Sequence, residues 1–303
     1  MKVLVLGGNG FIGSNLVDQL VAAGHRVRVY DRSPPKLSEH HLKLEYQCGN
    51  FNDITSISQA LHDIDIVFHL ISSSIHSSSN LSPANDVRDN LVNTIGLLEC
   101  MKKIGMSRIV YISSGGTIYG ESSEDLINED HSLNPNCSYG IVKLAVEKYL
   151  MMYGRLYGFK PVILRVSNPY GPRQSKVGVQ GLIGTLLSKV IAKEPVEIWG
   201  DGLVVRDYIY ISDVVDACMR AMDSGLTGVF NIGSGVGYSI NEVIKIVEEV
   251  TQSKLEVKYS KHRDLDVKKV VLDISKANKE LDWTPAIDIK EGLKKHYDWL
   301  LSS

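Results

Sequence analysis

The sequence predicts an α/β fold: a doubly wound parallel sheet with a smaller C-terminal substrate-binding domain. Three observations carry this. Short apolar runs alternate with amphipathic stretches through the first half of the chain. A glycine-rich turn joins the first apolar run to the first amphipathic stretch. After residue 167 the alternation breaks into segments punctuated by Gly and Pro.

In chain order, residues 2–6 (KVLVL), 26–30 (RVRVY), 43–47 (KLEYQ), 65–70 (DIVFHL), 108–112 (RIVYI) and 161–166 (PVILRV) read as strands. Between them, 12–23, 53–62, 85–104 and 137–157 read as helices. That rhythm implies βαβ units, a mainly parallel sheet and helices on both faces. Asn134-Pro135-Asn136 signals the start of the 137–157 helix and Gly158 its end. Beyond "NPYGPRQ" and "WGDG", the stretch "VFNIGSG" reads as another strand and 239–252 as a helix. The expected division is 1–167 for the dinucleotide-binding domain, with 205–232 returning to it, and 168–204 plus 233–303 for the substrate domain. The biased segment "SSSIHSSSN", residues 72–80, reads as a mobile loop set at the ligand crevice by the strand before it.

Bulk properties exclude several classes. The formal net charge of −2 gives no electrostatic case for nucleic acid or an anionic membrane. Cys48, Cys100, Cys137 and Cys218 are widely spaced, which suggests neither a metal site nor a disulfide framework. No run of apolar residues is long enough to span a bilayer, and the N-terminal apolar run is too short for a signal peptide. A cytoplasmic location is expected.

"LVLGGNGFIG" places Gly7, Gly10 and Gly13 after a strand and at the opening of a helix. Gly7 allows a tight turn, Gly10 lets backbone approach a pyrophosphate, and Gly13 permits close packing. The helix N-terminus then offers N–H groups and positive dipole to the phosphates. The second strand ends at Asp31, eighteen residues after Gly13, where an acid accepts hydrogen bonds from an adenosine ribose diol. An acid there repels a 2′-phosphate and favours NAD over NADP, although Arg32 follows immediately and could pair with such a phosphate.

In "CSYGIVK", Tyr139 and Lys143 stand four apart on a predicted helix and share a face. A free phenol titrates near ~10, and a general base should titrate near ~7. The difference is about 4 kcal/mol, the order of an ammonium interaction at ~4 Å with an effective dielectric of about 20. Lys143 together with an oxidised nicotinamide would supply it. Upstream, "YISSGGTIYG" ends a strand in Ser113, Ser114, two glycines and Thr117, a place for backbone to meet a ligand.

Gly7-Gly10-Gly13, Asp31, "VFHL", Tyr139/Lys143, "NPYGPRQ" and "RDYIYISDV" together resemble the extended short-chain dehydrogenase/reductase family, and UDP-hexose 4-epimerases within it. The similarity spans nearly the whole chain. It implies a Rossmann-type sheet and a tightly held NAD contacted by Gly7, Gly10, Phe11, Ile12, Gly13, Asp31, Asn50, Phe51, Leu70, Asn90, Tyr139 and Lys143. Asn50 stands where the family commonly has an acid toward adenine. A UDP-sugar would be held by Asn168, Arg206, Arg263 and Asp266, with Val270 walling the sugar pocket. A small residue there implies room for a 2-acetamido group, hence UDP-N-acetylglucosamine and UDP-N-acetylgalactosamine as well as the unsubstituted hexoses.

The resemblance also implies that Tyr139 takes the proton of the sugar 4-hydroxyl during a transient oxidation at carbon 4, and that the 85–104 and 137–157 helices form a homodimer. The family's catalytic Ser/Thr falls at Gly115, so the hydroxyl there is missing and Ser114 or Thr117 must replace it. The acid–base pair of the family's dehydratases falls at Gly116 and Thr117, which cannot serve. Two alternatives remain at this point: a nucleotide-sugar reductase or other NAD(P)-linked oxidoreductase, and a nucleotide-sugar-binding protein of weak activity.

Overall fold

A computed structural model describes residues 1–34, 44–74, 79–174, 181–261 and 267–302. The elements in chain order begin β1 Lys2–Leu6, α1 Phe11–Ala22, β2 Arg26–Asp31, β3 Leu44–Cys48, α2 Ile54–Ala60 and β4 Ile66–His69. Next come α3 Pro83–Asp86, a π-helical turn Val87–Val92, α4 Asn93–Lys103, β5 Arg108–Ser114, α5 Ser138–Tyr157 and β6 Lys160–Val166. The remainder is β7 Asn168–Tyr170, α6 Leu182–Ala192, β8 Val196–Trp199, β9 Val205–Tyr210, α7 Ile211–Asp223, β10 Gly228–Ile232, β11 Gly237–Ser239, α8 Ile240–Thr251, β12 Val257–Ser260, β13 Lys269–Val270, α9 Ser275–Leu281 and α10 Ile289–Ser302.

Seven parallel strands form the main sheet in the order β3-β2-β1-β4-β5-β6-β10. The order reverses between β1 and β4, which opens a crevice at their carboxyl ends. Strand β1 is apolar at successive positions because both sheet faces are covered. One face packs Leu16, Leu20, Ala217 and Met222 against the strands; the other packs Ile57, Leu97, Met101, Val146 and Leu150. Each such side chain contributes roughly 1.5–3 kcal/mol by leaving water.

Residues 205–232 divide. Strand β9 lies in a separate small sheet, between β11 and β13 and also paired with β7, whereas α7 and β10 return to the main domain. The stretch 85–104 also differs from one continuous helix. It starts at Pro83, passes through the π-helical turn and resumes as α4, so Asp86 and Asn90 both turn inward and are buried. Helix α5 ends as expected at Gly158, whose φ of +72° is left-handed. Its start is not capped by its own N-cap residue, Cys137. Asn80 supplies the acceptor instead, taking the Ser138 N–H at 2.9 Å. No helix among the described residues is long and apolar enough to cross a membrane.

Candidate active site

The carboxyl ends of β1, β2 and β4 enclose a cleft of about 440 Å³, lined by Gly7, Gly10, Asp31, Asn50, Phe51 and Leu70 among others. Six residues expected at the dinucleotide therefore face one space of ordinary ligand size. Gly7 has φ +83°, and a Cβ at Gly13 would collide with the Gly7 carbonyl oxygen. The third glycine thus lets α1 start directly against the turn. Gly10 is the N-cap and provides no side-chain hydrogen bond, so no side chain of the cap occupies the first-turn N–H groups. Phe11, Ile12 and Gly13 form that first turn.

Asp31 accepts from the Asn9 N–H at 3.0 Å and the Ser33 N–H at 3.1 Å. Each carboxylate oxygen keeps a lone pair for a ribose hydroxyl. Phe51 is buried against His69, with ring centroids 5.1 Å apart. These features fit a dinucleotide: a glycine cradle, an open helix end and an acid at the end of the second strand.

A smaller cavity of about 10 Å³ adjoins the cleft, and Ile71 and Ser72 line both. Tyr139, Lys143, Asn90, Asp86, His69 and Tyr111 face it. Lys143 Nζ donates to the Ile112 carbonyl at 2.8 Å and lies 5.6 Å from the centre of the Tyr139 ring. Burial lowers its pKa to about 8, against the upward pull of Glu147 and Asp86. Burial also pushes the Tyr139 phenol up to about 12; Cys137 and Asp86 add to the rise, and a hydrogen bond with the Ser114 side chain opposes it. The residues around Tyr139 thus keep it neutral, and the lowering expected of Lys143 is not what they produce. His69 is held neutral by burial and by Lys143, its pKa lowered to about 3.

Packing accounts for the glycine at position 115. A Cβ at Gly115 would lie 2.5 Å from Leu272 Cδ1 and 3.0 Å from the Arg165 carbonyl oxygen, so that place is filled. Ser114 engages the Tyr139 phenol, whereas Thr117 Oγ1 is buried with no hydrogen-bond partner among the described residues. Ser114 ends β5 and Thr117 lies in the loop that follows, which packs close to Tyr139: a Cβ at Gly140 would lie 2.6 Å from the Thr117 carbonyl oxygen.

On the substrate side, Asn168 Nδ2 donates to the Asp207 carbonyl at 2.9 Å, and Arg206 pairs in register with Val270. Val270 is 2% exposed and packs with Ile118, Tyr119, Ile127, Val267 and Leu272, so its side chain sits inside a closed cluster. Arg263 and Asp266 lie outside the described residues.

Two residues at the site were not singled out in the sequence. Glu147 is buried one turn beyond Lys143, and the spacing of Tyr139, Lys143 and Glu147 by fours was a legible signal. Asp86 is buried within the wall around Tyr139 and had no such local signature.

Comparison with known proteins agrees with this architecture. Residues 3–233 match the NAD dependent epimerase/dehydratase family. The chain is 35% identical over 301 residues to a putative UDP-glucose 4-epimerase of Methanocaldococcus jannaschii, covering 98% of each. It is 32% identical to a dTDP-4-dehydro-6-deoxyglucose reductase of Escherichia coli, over 97% of this chain and 95% of that one. Among solved structures, UDP-glucose 4-epimerase of Thermotoga maritima with UDP-glucose superposes with a TM-score of 0.94 at 36% identity, covering 100% of this chain and 99% of the other. UDP-N-acetylglucosamine 4-epimerase of Methanobrevibacter ruminantium, in complex with UDP-N-acetylmuramic acid, gives a TM-score of 0.94 at 30% identity, covering 99% and 98%. A match over most of the chain, joined to a glycine cradle, an acid ending the second strand and a Tyr139–Lys143 pair in the wall beside the cleft, leaves one conclusion: the protein belongs to the NAD dependent epimerase/dehydratase family, and its cofactor is NAD.

Proposed function

We propose that the protein interconverts the C4 epimers of a UDP-hexose and accepts N-acetylhexosamines. The observation that carries this reading is Tyr139 itself. It is bonded to Ser114, flanked by Lys143, and set in a wall continuous with the dinucleotide cleft.

Bound in that cleft, NAD supplies a hydride acceptor for carbon 4 of the sugar and a positive charge beside the phenol. Tyr139 takes the proton of the sugar 4-hydroxyl and later returns it. Ser114 orients the phenol and stabilises its anion by hydrogen bonding. Lys143, held in place by the Ile112 carbonyl, keeps a cation beside the ring at neutral pH. Gly116 and Thr117 carry no acid or base for water elimination, which argues against dehydration. On the substrate side, Asn168, Arg206, Arg263 and Asp266 would hold the UDP moiety; acceptance of a 2-acetamido group is supported by the likeness to the UDP-N-acetylglucosamine 4-epimerase and not by Val270, whose side chain is enclosed. Val92, Ile141, Met151 and Leu156 remain exposed on the π-helical turn and α5, which supports a homodimer through these elements.

A reductase is the second reading, favoured by the Escherichia coli relative. One experiment separates them. Purified protein is incubated without added cofactor with UDP-glucose, UDP-galactose and their N-acetyl counterparts, and the sugars are resolved by chromatography. Interconversion within each pair supports the proposal. No epimer formed, with a net change in reduced-nicotinamide absorbance once NAD⁺ or NADP⁺ is added in excess, points to the reductase.

A further inference from the structure

Asp86 is 3% exposed and stands in the wall that carries Tyr139 and Lys143. Three side chains from three segments donate to it. Oδ1 accepts from Ser74 Oγ at 2.6 Å and from Asn90 Nδ2 at 2.8 Å. Oδ2 accepts from Ser138 Oγ at 2.7 Å. Asn90 in turn accepts the Ser73 N–H at 2.9 Å, which fixes the start of the serine tract. Ser138 is the residue before Tyr139, and its N–H is the one that Asn80 takes. The first turn of the Tyr139 helix is therefore held from outside, by a carboxylate and an amide on the segment that follows β4.

We propose that Asp86 is a positioning residue: it locks the first turn of α5 to Ser74, beyond the end of β4, and its carboxylate is the negative charge against which the Tyr139–Lys143 pair operates. Only the kinetic consequence rests on the 4-epimerase reading.

The ionisable groups facing Asp86 are Tyr139, Lys143 and Cys137 at the start of α5, Tyr111 on β5 and His69 on β4. Burial keeps Cys137, Tyr111 and His69 neutral: it raises the first two and lowers the third. Glu147, farther along α5, is the other anion acting on Lys143. Arg88, on the following turn, donates to Asn85 at 3.1 Å. Asp86 raises the pKa of both Tyr139 and Lys143. Removing its charge therefore lets Tyr139 ionise at lower pH and Lys143 lose its proton at lower pH. A profile that needs an ionised Tyr139 and a charged Lys143 moves to the acid side on both limbs.

The test is Asp86→Asn, which keeps the shape and removes the charge. Tyr139 is titrated by tyrosinate ultraviolet absorbance, taken as the difference from a matching Tyr139→Phe protein. In Asp86→Asn the tyrosinate forms at lower pH than in the parent. Epimerisation shows kcat at its optimum down about tenfold, KM changed less than about threefold, and the whole profile displaced to acid. An unmoved titration, or a fall in kcat with no displacement, overturns the proposal. If the parent protein does not epimerise but the titration moves, the 4-epimerase reading fails and this one stands. Should Asp86→Asn not fold, Ser74→Ala and Ser138→Ala each remove one bond and keep the charge. Lower kcat at an unchanged optimum supports the positioning role, and unaltered kcat in both overturns it.

Discussion

Replacing Tyr139 with phenylalanine lowers kcat by about 10²–10⁴-fold, the range for loss of a general base. The ring stays, so its packing in the wall with Val142 and Tyr111 is retained and the fold is undisturbed. What is lost is the one phenolic hydroxyl at the site that is bonded to Ser114. The dinucleotide cleft is built from β1, β2, β4 and their loops, so the variant still copurifies with its dinucleotide. Steady-state kinetics and the bound nucleotide content of the purified variant check both halves. A variant within a few-fold of the parent removes Tyr139 from the chemistry.

Replacing Glu147 with alanine costs about 3–5 kcal/mol of folding stability. Glu147 and Arg165 are both almost fully buried and are joined at 2.7 Å between Oε2 and Nη2, with Nε 3.2 Å from each carboxylate oxygen. Ser113 Oγ also donates to Glu147, at 2.5 Å, and Arg165 Nη1 donates to the Tyr119 hydroxyl at 2.9 Å. The cluster ties α5 to β5, β6 and the loop that carries Thr117. Truncating the acid strands a buried guanidinium and costs far more than the pair itself contributes. Urea unfolding shows the loss as a lower midpoint. A double variant, Glu147→Leu with Arg165→Met, recovers much of it because no unpaired charge remains. A single variant that loses less than about 1 kcal/mol contradicts this account of the cluster.

Much of the main sheet was legible because β1, β4, β5 and β6 are apolar on both faces, β2 alternates Arg with Val, and α1 and α5 carry a helical stripe. The glycine cradle and the Tyr139/Lys143 pair were legible for a related reason: each is local, fixed by a turn or by one helix face. What escaped depends on distant partners. The 205–232 stretch was expected to return whole to the dinucleotide-binding domain, but nothing in the periodicity of "VRDYIY" says which sheet will pair with it, and it joined the small one. The 85–104 stretch keeps apolar spacing across the π-helical turn, so the break was invisible until Asp86 and Asn90 were seen facing inward. Asp86 gains its meaning from Ser138, 52 positions away. Likewise, the environment of Tyr139 follows from where Lys143 Nζ points, toward the Ile112 carbonyl, and not from the spacing of four.

The measurement that tests the central claim most directly uses a UDP-hexose carrying deuterium on carbon 4, incubated with the purified protein in ordinary water without added dinucleotide. The account predicts that the epimer forms and that its carbon 4 retains the deuterium, because the hydrogen leaves and returns within the site while only the hydroxyl proton passes through Tyr139. Epimer formed with its label lost to water, or no epimer formed, contradicts it.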